Sequence, residues 1–231
     1  MRQIVLDTET TGLEVGKGHR IIEIGCIELS ERRPSGKRFH RYLNPKRPVD
    51  EGARSVHGIS DEFLADKPRF AEVAAEFLEF IAGAELVIHN AAFDVGFLDA
   101  ELALVDPGLG RIADHASVLD TLALAREKYP GQRISLDALC KRLNIDNRHR
   151  ELHGALLDAQ LLADVYLAMT GGQGDLGLAN RKATAPARVA APSIARQPLR
   201  VRRADAAEAS LHAARLLAID NASKGRCLWR D

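Results

Sequence analysis

With 231 residues, 46% of them hydrophobic, the chain can bury one sizeable core, while nine prolines and a late shift in composition argue against spreading that core over the whole length. Three cysteines, Cys26, Cys140 and Cys227, are odd in number and far apart, which excludes a disulfide framework or a CxxC zinc knuckle and fits a reduced, cytoplasmic setting; no apolar run reaches signal-peptide or membrane-span length. The net charge of zero conceals 21 Lys+Arg against 27 Asp+Glu in residues 1–170 and 11 against 5 in residues 171–231, so the body lacks the basic surface that grips nucleic acid by counterion release, and metal ions and a partner are expected to supply much of any hold on DNA.

Gln3 to Glu9 and Arg20 to Leu29 read as strands, apolar and β-branched, joined by a turn at Glu14 to Gly18, and Lys37 to Leu43 is a third strand. Two short helical pieces follow around His57. Phe70 to Ala82 is an amphipathic helix with Phe70, Val73, Ala74, Phe77, Leu78 and Ile81 at helical spacing. Leu86-Val87-Ile88 is a short buried strand leading into a helix over Ala92 to Leu104. Further helices fit Leu119 to Lys128, Ser135 to Leu143 with Ser135 as N-cap, and Gly154 to Met169 before Gly171-Gly172. A three-strand meander followed by alternating strands and helices predicts an α/β fold with a mixed central sheet.

Beyond the glycine pair the sequence turns Ala- and Arg-rich, with Pro186, Pro192 and Pro198. Residues 173–203 read as a flexible linker with a coil-like reach of roughly 30 Å. Asp205 to Glu208 is a capping box that opens a helix to about Asn221, with too little apolar surface to fold alone. The expected organisation is a domain over 1–172, the linker, and an attachment segment over 204–231.

The chemistry lies in three pieces. Asp7 and Glu9 stand two apart on the first strand and therefore project from one face, with Thr8 pointing away. Side-by-side carboxylates at a buried strand end repel unless a cation compensates, and magnesium or manganese suits hard oxygen ligands. A solvated strand end is the plainer alternative for this pair alone. Asp94 falls in the first turn of the helix after the fourth strand, where the helix dipole by itself favours an acid. Asn90 before it could hydrogen-bond a sugar or phosphate, and Phe93 could pack a base or fill core. His153 and Asp158, five apart, would diverge by roughly 140° on one continuous helix; Gly154 is expected to release His153 onto the preceding loop so that both face one site. With a reference pKa of ~6.5, a histidine there can act as general base near neutral pH. His149, in a polar turn, reads as solvated.

In this order the five residues resemble the DEDDh family of 3'→5' exonucleases, in its histidine branch, since Gly154 stands where the tyrosine branch carries Tyr. The runs Ile4 to Gly12, Val56 to Ile59, Glu85 to Asp94 and Leu152 to Gln160, with the ending Cys227 to Arg230, are similar to the proofreading (epsilon) subunits of bacterial DNA polymerase III, and the likeness covers residues 1–172 almost continuously. The resemblance implies a ribonuclease H-like fold and two Mg2+ or Mn2+ ions. Asp7, Glu9 and Asp158 would hold one ion, Asp7 would share the second with the scissile phosphate, Asp94 would help place it, and His153 would be the base. It further implies that Thr10, Thr11 and Gly12 lie against the terminal nucleotide, that Val56, His57 and Asn90 line its pocket and that Leu13 contacts its base; Phe93 joins them as a substrate-binding candidate on its own reading.

By the same resemblance Gln173, Leu176 and Leu178 form a short motif for the sliding clamp, with a polar loop as the alternative, and Leu228 and Trp229 anchor the polymerase (alpha) subunit. A theta-like third subunit is also implied, with no motif to mark its surface. The substrate would be a single-stranded or frayed DNA 3' end. Two rivals stand beside this reading: an RNA-directed exonuclease of the same superfamily, against which the tail argues, and a noncatalytic subunit bridging clamp to polymerase, against which the five intact residues argue.

Overall fold

A computed structural model of the chain describes residues 1–148, 152–171 and 204–225. Strands β1 (Arg2–Thr10), β2 (Ile21–Ser30) and β3 (Arg33–Tyr42) form the expected antiparallel meander. On the other side of β1, β4 (Glu85–Ile88) pairs parallel with it and β5 (Ser117–Asp120) parallel with β4, which gives a mixed five-stranded sheet in the order β3-β2-β1-β4-β5.

Alternation along the central strands explains how both faces of this sheet are covered. Ile4 and Leu6 of β1, with Leu86 and Ile88 of β4, enter one core cluster together with α3 (Phe70–Ile81) and α4 (Ala91–Val105). Val5 and Val87, pointing the other way, enter a second cluster with α7 (Leu136–Leu143) and α8 (Ala155–Thr170). Phe70, Val73, Ala74, Phe77 and Ile81 of α3 are all buried, on the face that its periodicity predicts. Phe77 is fully enclosed, and truncating it to Ala would cost about 3–5 kcal/mol. A smaller cluster of Ile22, Val49, Ile59 and Leu64 seats the two short helices α1 (Glu51–His57) and α2 (Asp61–Leu64).

Three differences from the sequence reading have local causes. The third strand begins at Arg33, because Glu31 and Arg32 take left-handed φ values of 48° and 63° and close a two-residue hairpin that sets Ser30 opposite Arg33. The helix expected from Leu119 starts at Thr121 as α6 (Thr121–Lys128), since Leu119 and Asp120 belong to β5 and the Asp120 carboxylate accepts the Leu122 N–H as its cap. A 3-10 turn at Pro107–Leu109 and the four-residue α5 (Ile112–His115) fill a stretch in which no element was expected.

The chain divides into two units, residues 1–179 and 180–231. In the second, α9 (Ala206–Ala222) carries the expected capping box: Asp205 accepts from the N–H groups of Ala207 and Glu208, and Glu208 accepts from that of Asp205. No residue of α9 is buried. His149, Cys227, the linker 173–203, Gln173, Leu176, Leu178, Leu228 and Trp229 lie outside the described residues. Among the described residues no helix is long and apolar enough to cross a membrane.

Candidate active site

The parallel pairing of β1 with β4 brings their C-terminal ends together, so Asp7 and Glu9 meet the start of α4, which carries Asp94. The antiparallel register of β1 with β2 sets Gly25 opposite Asp7 and Glu23 opposite Glu9. Gly25 is what lets α8 approach: a Cβ there would lie 2.3 Å from the Ala155 carbonyl carbon and from the Leu156 nitrogen. The first turn of α8, with Asp158, therefore rests directly on β2 beside the two carboxylates.

Asp7, Glu9, Asp94, His153 and Asp158 all line one cleft of about 410 Å³. Asp94 and Asp158 are each 3% exposed, while Asp7, Glu9 and His153 are half-buried. Donor atoms of Glu9, His153 and Asp158 lie within 4.8 Å of one another. His153 Nδ1 stands 3.2 Å from Asp158 Oδ2, and the His153 backbone N–H donates to Val56 O at 3.1 Å, which ties the loop to the end of α1. No lysine or arginine lines this cleft among the described residues. Four acids around one imidazole, two of them buried, form a set of hard oxygen donors that fits divalent cations such as Mg2+ or Mn2+.

Burial pushes the Asp94 carboxyl up to about 7, against the Thr8 hydroxyl and backbone N–H groups that favour its anion; Asp120 adds a smaller upward push. Thr8 does point away from Asp7 and Glu9, but its Oγ1 donates to Asp94 Oδ1 at 2.7 Å, a contact that the sequence reading missed. Cys26 beside them is buried, and burial first, then the charges of Asp7 and Asp94, hold its thiol well above the ordinary range and keep it unreactive. Gly154 has φ −154°, an extended conformation open to any residue, so His153 is placed by the helix starting at Ala155 and not by glycine's freedom.

A second cleft, also about 410 Å³, shares Thr8, Glu9 and Phe93 with the first and is lined by Thr10, Gly12, Leu13, Val56 and His57. Asn90, an exposed residue with a left-handed φ of 66°, lines the first cleft. Phe93 serves two ends, facing both clefts while packing on Phe97 with ring centroids 4.9 Å apart. Thr11 departs from expectation. It is fully buried and lines neither cleft, because its Oγ1 accepts the Arg20 N–H at 3.0 Å and lies 3.1 Å from His19 Nδ1. His19 in turn requires the glycine at position 12, where a Cβ would lie 2.3 Å from its ring. Burial holds the His57 imidazole below its usual pKa, assisted by the nearby charges of Arg54 and His153 and opposed by the Thr10 backbone. Its Nδ1 accepts the Ile59 N–H, which leaves Nε2 as the protonated nitrogen of a neutral ring.

Such a sheet, with an acidic cleft at the end of its first strand, is that of a ribonuclease H-like exonuclease. A family model described as "Exonuclease" matches residues 4–166. Among solved structures, Exonuclease X in complex with 5' overhanging duplex DNA is 25% identical with a TM-score of 0.59, over 74% of this chain and 93% of that one. E. coli Exonuclease I in complex with a dA16 oligonucleotide shares the fold at 18% identity and a TM-score of 0.64, over 74% of this chain and 41% of that one. The DNA polymerase III subunit epsilon of Escherichia coli (strain K12) is 54% identical over 99% of this chain and 97% of its own length. That of Pasteurella multocida (strain Pm70) is 52% identical over 99% and 93%. The chain belongs to the exonuclease family and, within it, to the epsilon subunits of DNA polymerase III.

Proposed function

We propose that residues 1–172 form a metal-dependent 3'→5' exodeoxyribonuclease that removes mispaired 3'-terminal nucleotides for a bacterial replicative polymerase. The observation that carries this reading is the convergence of Asp7, Glu9, Asp94, Asp158 and His153 on one cleft, beside a second cleft of about 410 Å³, a volume suited to a nucleotide. Asp7, Glu9, Asp94 and Asp158 would hold two Mg2+ or Mn2+ ions. When bound, such ions neutralise the charge that develops on the attacking and leaving oxygens of an in-line displacement.

The chain's own residues do the rest. His153 Nδ1 stands 3.2 Å from Asp158 Oδ2, so a proton held on that nitrogen by Asp158 would leave Nε2 to take one from the attacking water. The new bond forms from that water oxygen to phosphorus, the bond to the 3'-oxygen breaks, and the products are a nucleoside 5'-monophosphate and a strand one nucleotide shorter. Thr10, Gly12, Leu13, Val56, His57 and Phe93 receive the terminal sugar and base, Asn90 lies towards the phosphate, and Thr11 supports the wall from behind.

Selectivity need not involve reading the mismatch. A cleft that takes an unstacked end is fed more readily by mispaired termini, because fraying them costs less. The body's excess of acids makes tethering useful, since effective concentration then replaces affinity. The C-terminal segment 204–231, with Leu228 and Trp229, would bind the polymerase subunit, Gln173, Leu176 and Leu178 the sliding clamp, and a theta-like subunit the nuclease domain, within a cytoplasmic replisome. The test compares 3'-labelled primers, mispaired or paired at the end, with deoxyribose or ribose termini. Faster release from the mispaired deoxyribose primer is expected; equal rates on mispaired and paired ends, or a preference for ribose, would contradict the proposal.

A further inference from the structure

Glu23 is not one of the five cleft residues, yet it touches the helix that carries one of them and adjoins another. Its side chain is 2% exposed. It lies opposite Glu9 in the register of β1 with β2. One carboxylate oxygen, Oε1, stands 2.7 Å from His40 Nε2, and the other, Oε2, accepts the backbone N–H of Ala155 at 3.2 Å. Tyr42 neighbours the same carboxylate: burial first, then the Glu23 charge, hold its phenol above the ordinary range.

The Ala155 contact fills a gap in α8. A helix leaves its first N–H groups without internal partners, and a Ser, Thr, Asp or Asn just before it normally supplies one. Here that position is Gly154, which has no side chain, and no local cap is made. The acceptor comes instead from β2, 132 residues away in sequence. Its charge also suits the positive end of the helix dipole. Two residues along, on the same face of β2, Gly25 admits the backbone of Ala155 and Leu156. A side-chain cap and a close backbone contact thus fix the first turn of α8 to the strand paired with β1.

We propose that Glu23 is a positioning residue: by accepting the Ala155 N–H from the strand position paired with Glu9, it fixes His153 and Asp158 at the spacing from Glu9 that hydrolysis requires. This rests on the active-site reading given above. A carboxamide can still accept the Ala155 N–H, so Glu23→Gln keeps the link. Glu23→Asp keeps the charge but, one methylene shorter, falls short of Ala155, and Glu23→Ala loses both.

The experiment measures kcat, KM and half-saturating Mg2+ for the full chain on a 3'-labelled single-stranded oligonucleotide. Glu23→Ala and Glu23→Asp are expected to lower kcat at least about tenfold and raise half-saturating Mg2+ severalfold, with KM for the oligonucleotide within about twofold, as for residues that orient ligands from behind. Glu23→Gln is expected to stay within about threefold of the parent kcat. Parental kcat in both Glu23→Ala and Glu23→Asp, even with a lowered melting temperature, would overturn the proposal, because Glu23 would then only stabilise. Should Glu23→Ala fail to fold, the contrast between Asp and Gln decides by the same criterion. Asp7→Ala runs alongside: if it still hydrolyses, the active-site reading falls and this proposal with it, whereas loss in Asp7→Ala with no loss in the Glu23 variants overturns this proposal alone.

Discussion

Gly25→Ala places a methyl group against the backbone of α8. The new Cβ would lie 2.3 Å from the Ala155 carbonyl carbon and the Leu156 nitrogen and 2.4 Å from the Ala155 oxygen. Carbon contacts settle near ~3.5 Å, so the first turn of α8 must retreat by about 1 Å. Overpacking of this kind costs about 1–3 kcal/mol. For a domain of this size each kcal/mol is worth about 2–4 °C, which predicts a melting temperature lower by about 2–12 °C. The same retreat carries Asp158 and the His153 loop away from Glu9, and a displacement of ~1 Å at reacting groups costs about 100-fold in rate. Gly96→Ala, inside α4 where an added Cβ meets nothing within 4 Å, controls for the chemistry of the change. It is expected to raise stability by up to about 1 kcal/mol and leave hydrolysis alone. Thermal unfolding and initial rates at saturating Mg2+ measure both effects. Parental melting and parental rate in Gly25→Ala would refute the reasoning that α8 positions the site through this contact.

Thr8→Val removes the hydroxyl that donates to Asp94 at 2.7 Å while keeping the shape of the side chain. Half-saturating Mg2+ is expected to rise about 10-fold or more, with recovery in Thr8→Ser; unchanged metal dependence would show the hydroxyl to be idle. Asp94 also predicts a pH effect in metal-free protein. The folded state keeps this proton up to about pH 7, whereas the unfolded chain releases it near 3.8, so the folded state binds more protons across that interval. Stability falls as pH rises from about 4 to 7, by at most about 4 kcal/mol, and levels off above. Asp94→Asn removes this fall, so melting curves at several pH values should diverge between variant and parent at low pH and run parallel above 7; identical pH dependence in the two would contradict the assigned burial.

Period and composition reveal the elements that build the core. The stripe on α3 and the alternation Ile4-Val5-Leu6 sort residues to the two sheet faces as the structure does. What they conceal depends on short segments and on backbone geometry. Ser117–Asp120 is too brief to show alternation and merges with the helix after it, although Asp120 before Thr121 could have been read as a cap. The hairpin at Glu31-Arg32 lacks the Asn-Gly or Asp-Gly that marks such turns, so the expected third strand starts late, at Lys37 and not at Arg33. At the site, the five cleft residues are legible because each adjoins an apolar run and their order matches a known pattern. Their supports are not: the Thr8–Asp94 bond, the burial of Thr11 behind His19, and the Glu23–Ala155 contact arise from strand register and helix docking between residues far apart in the chain.

The most direct measurement is the metal-dependent release of labelled nucleotide from a 3'-end-labelled, mispaired primer by the full chain, with Asp7→Ala and His153→Ala beside it. The account predicts nucleoside 5'-monophosphate as the product with Mg2+ or Mn2+ present, none after chelation, and rates lower by at least about 100-fold in both variants. Release that survives chelation, a 3'-monophosphate product, or parental rates in Asp7→Ala would contradict it.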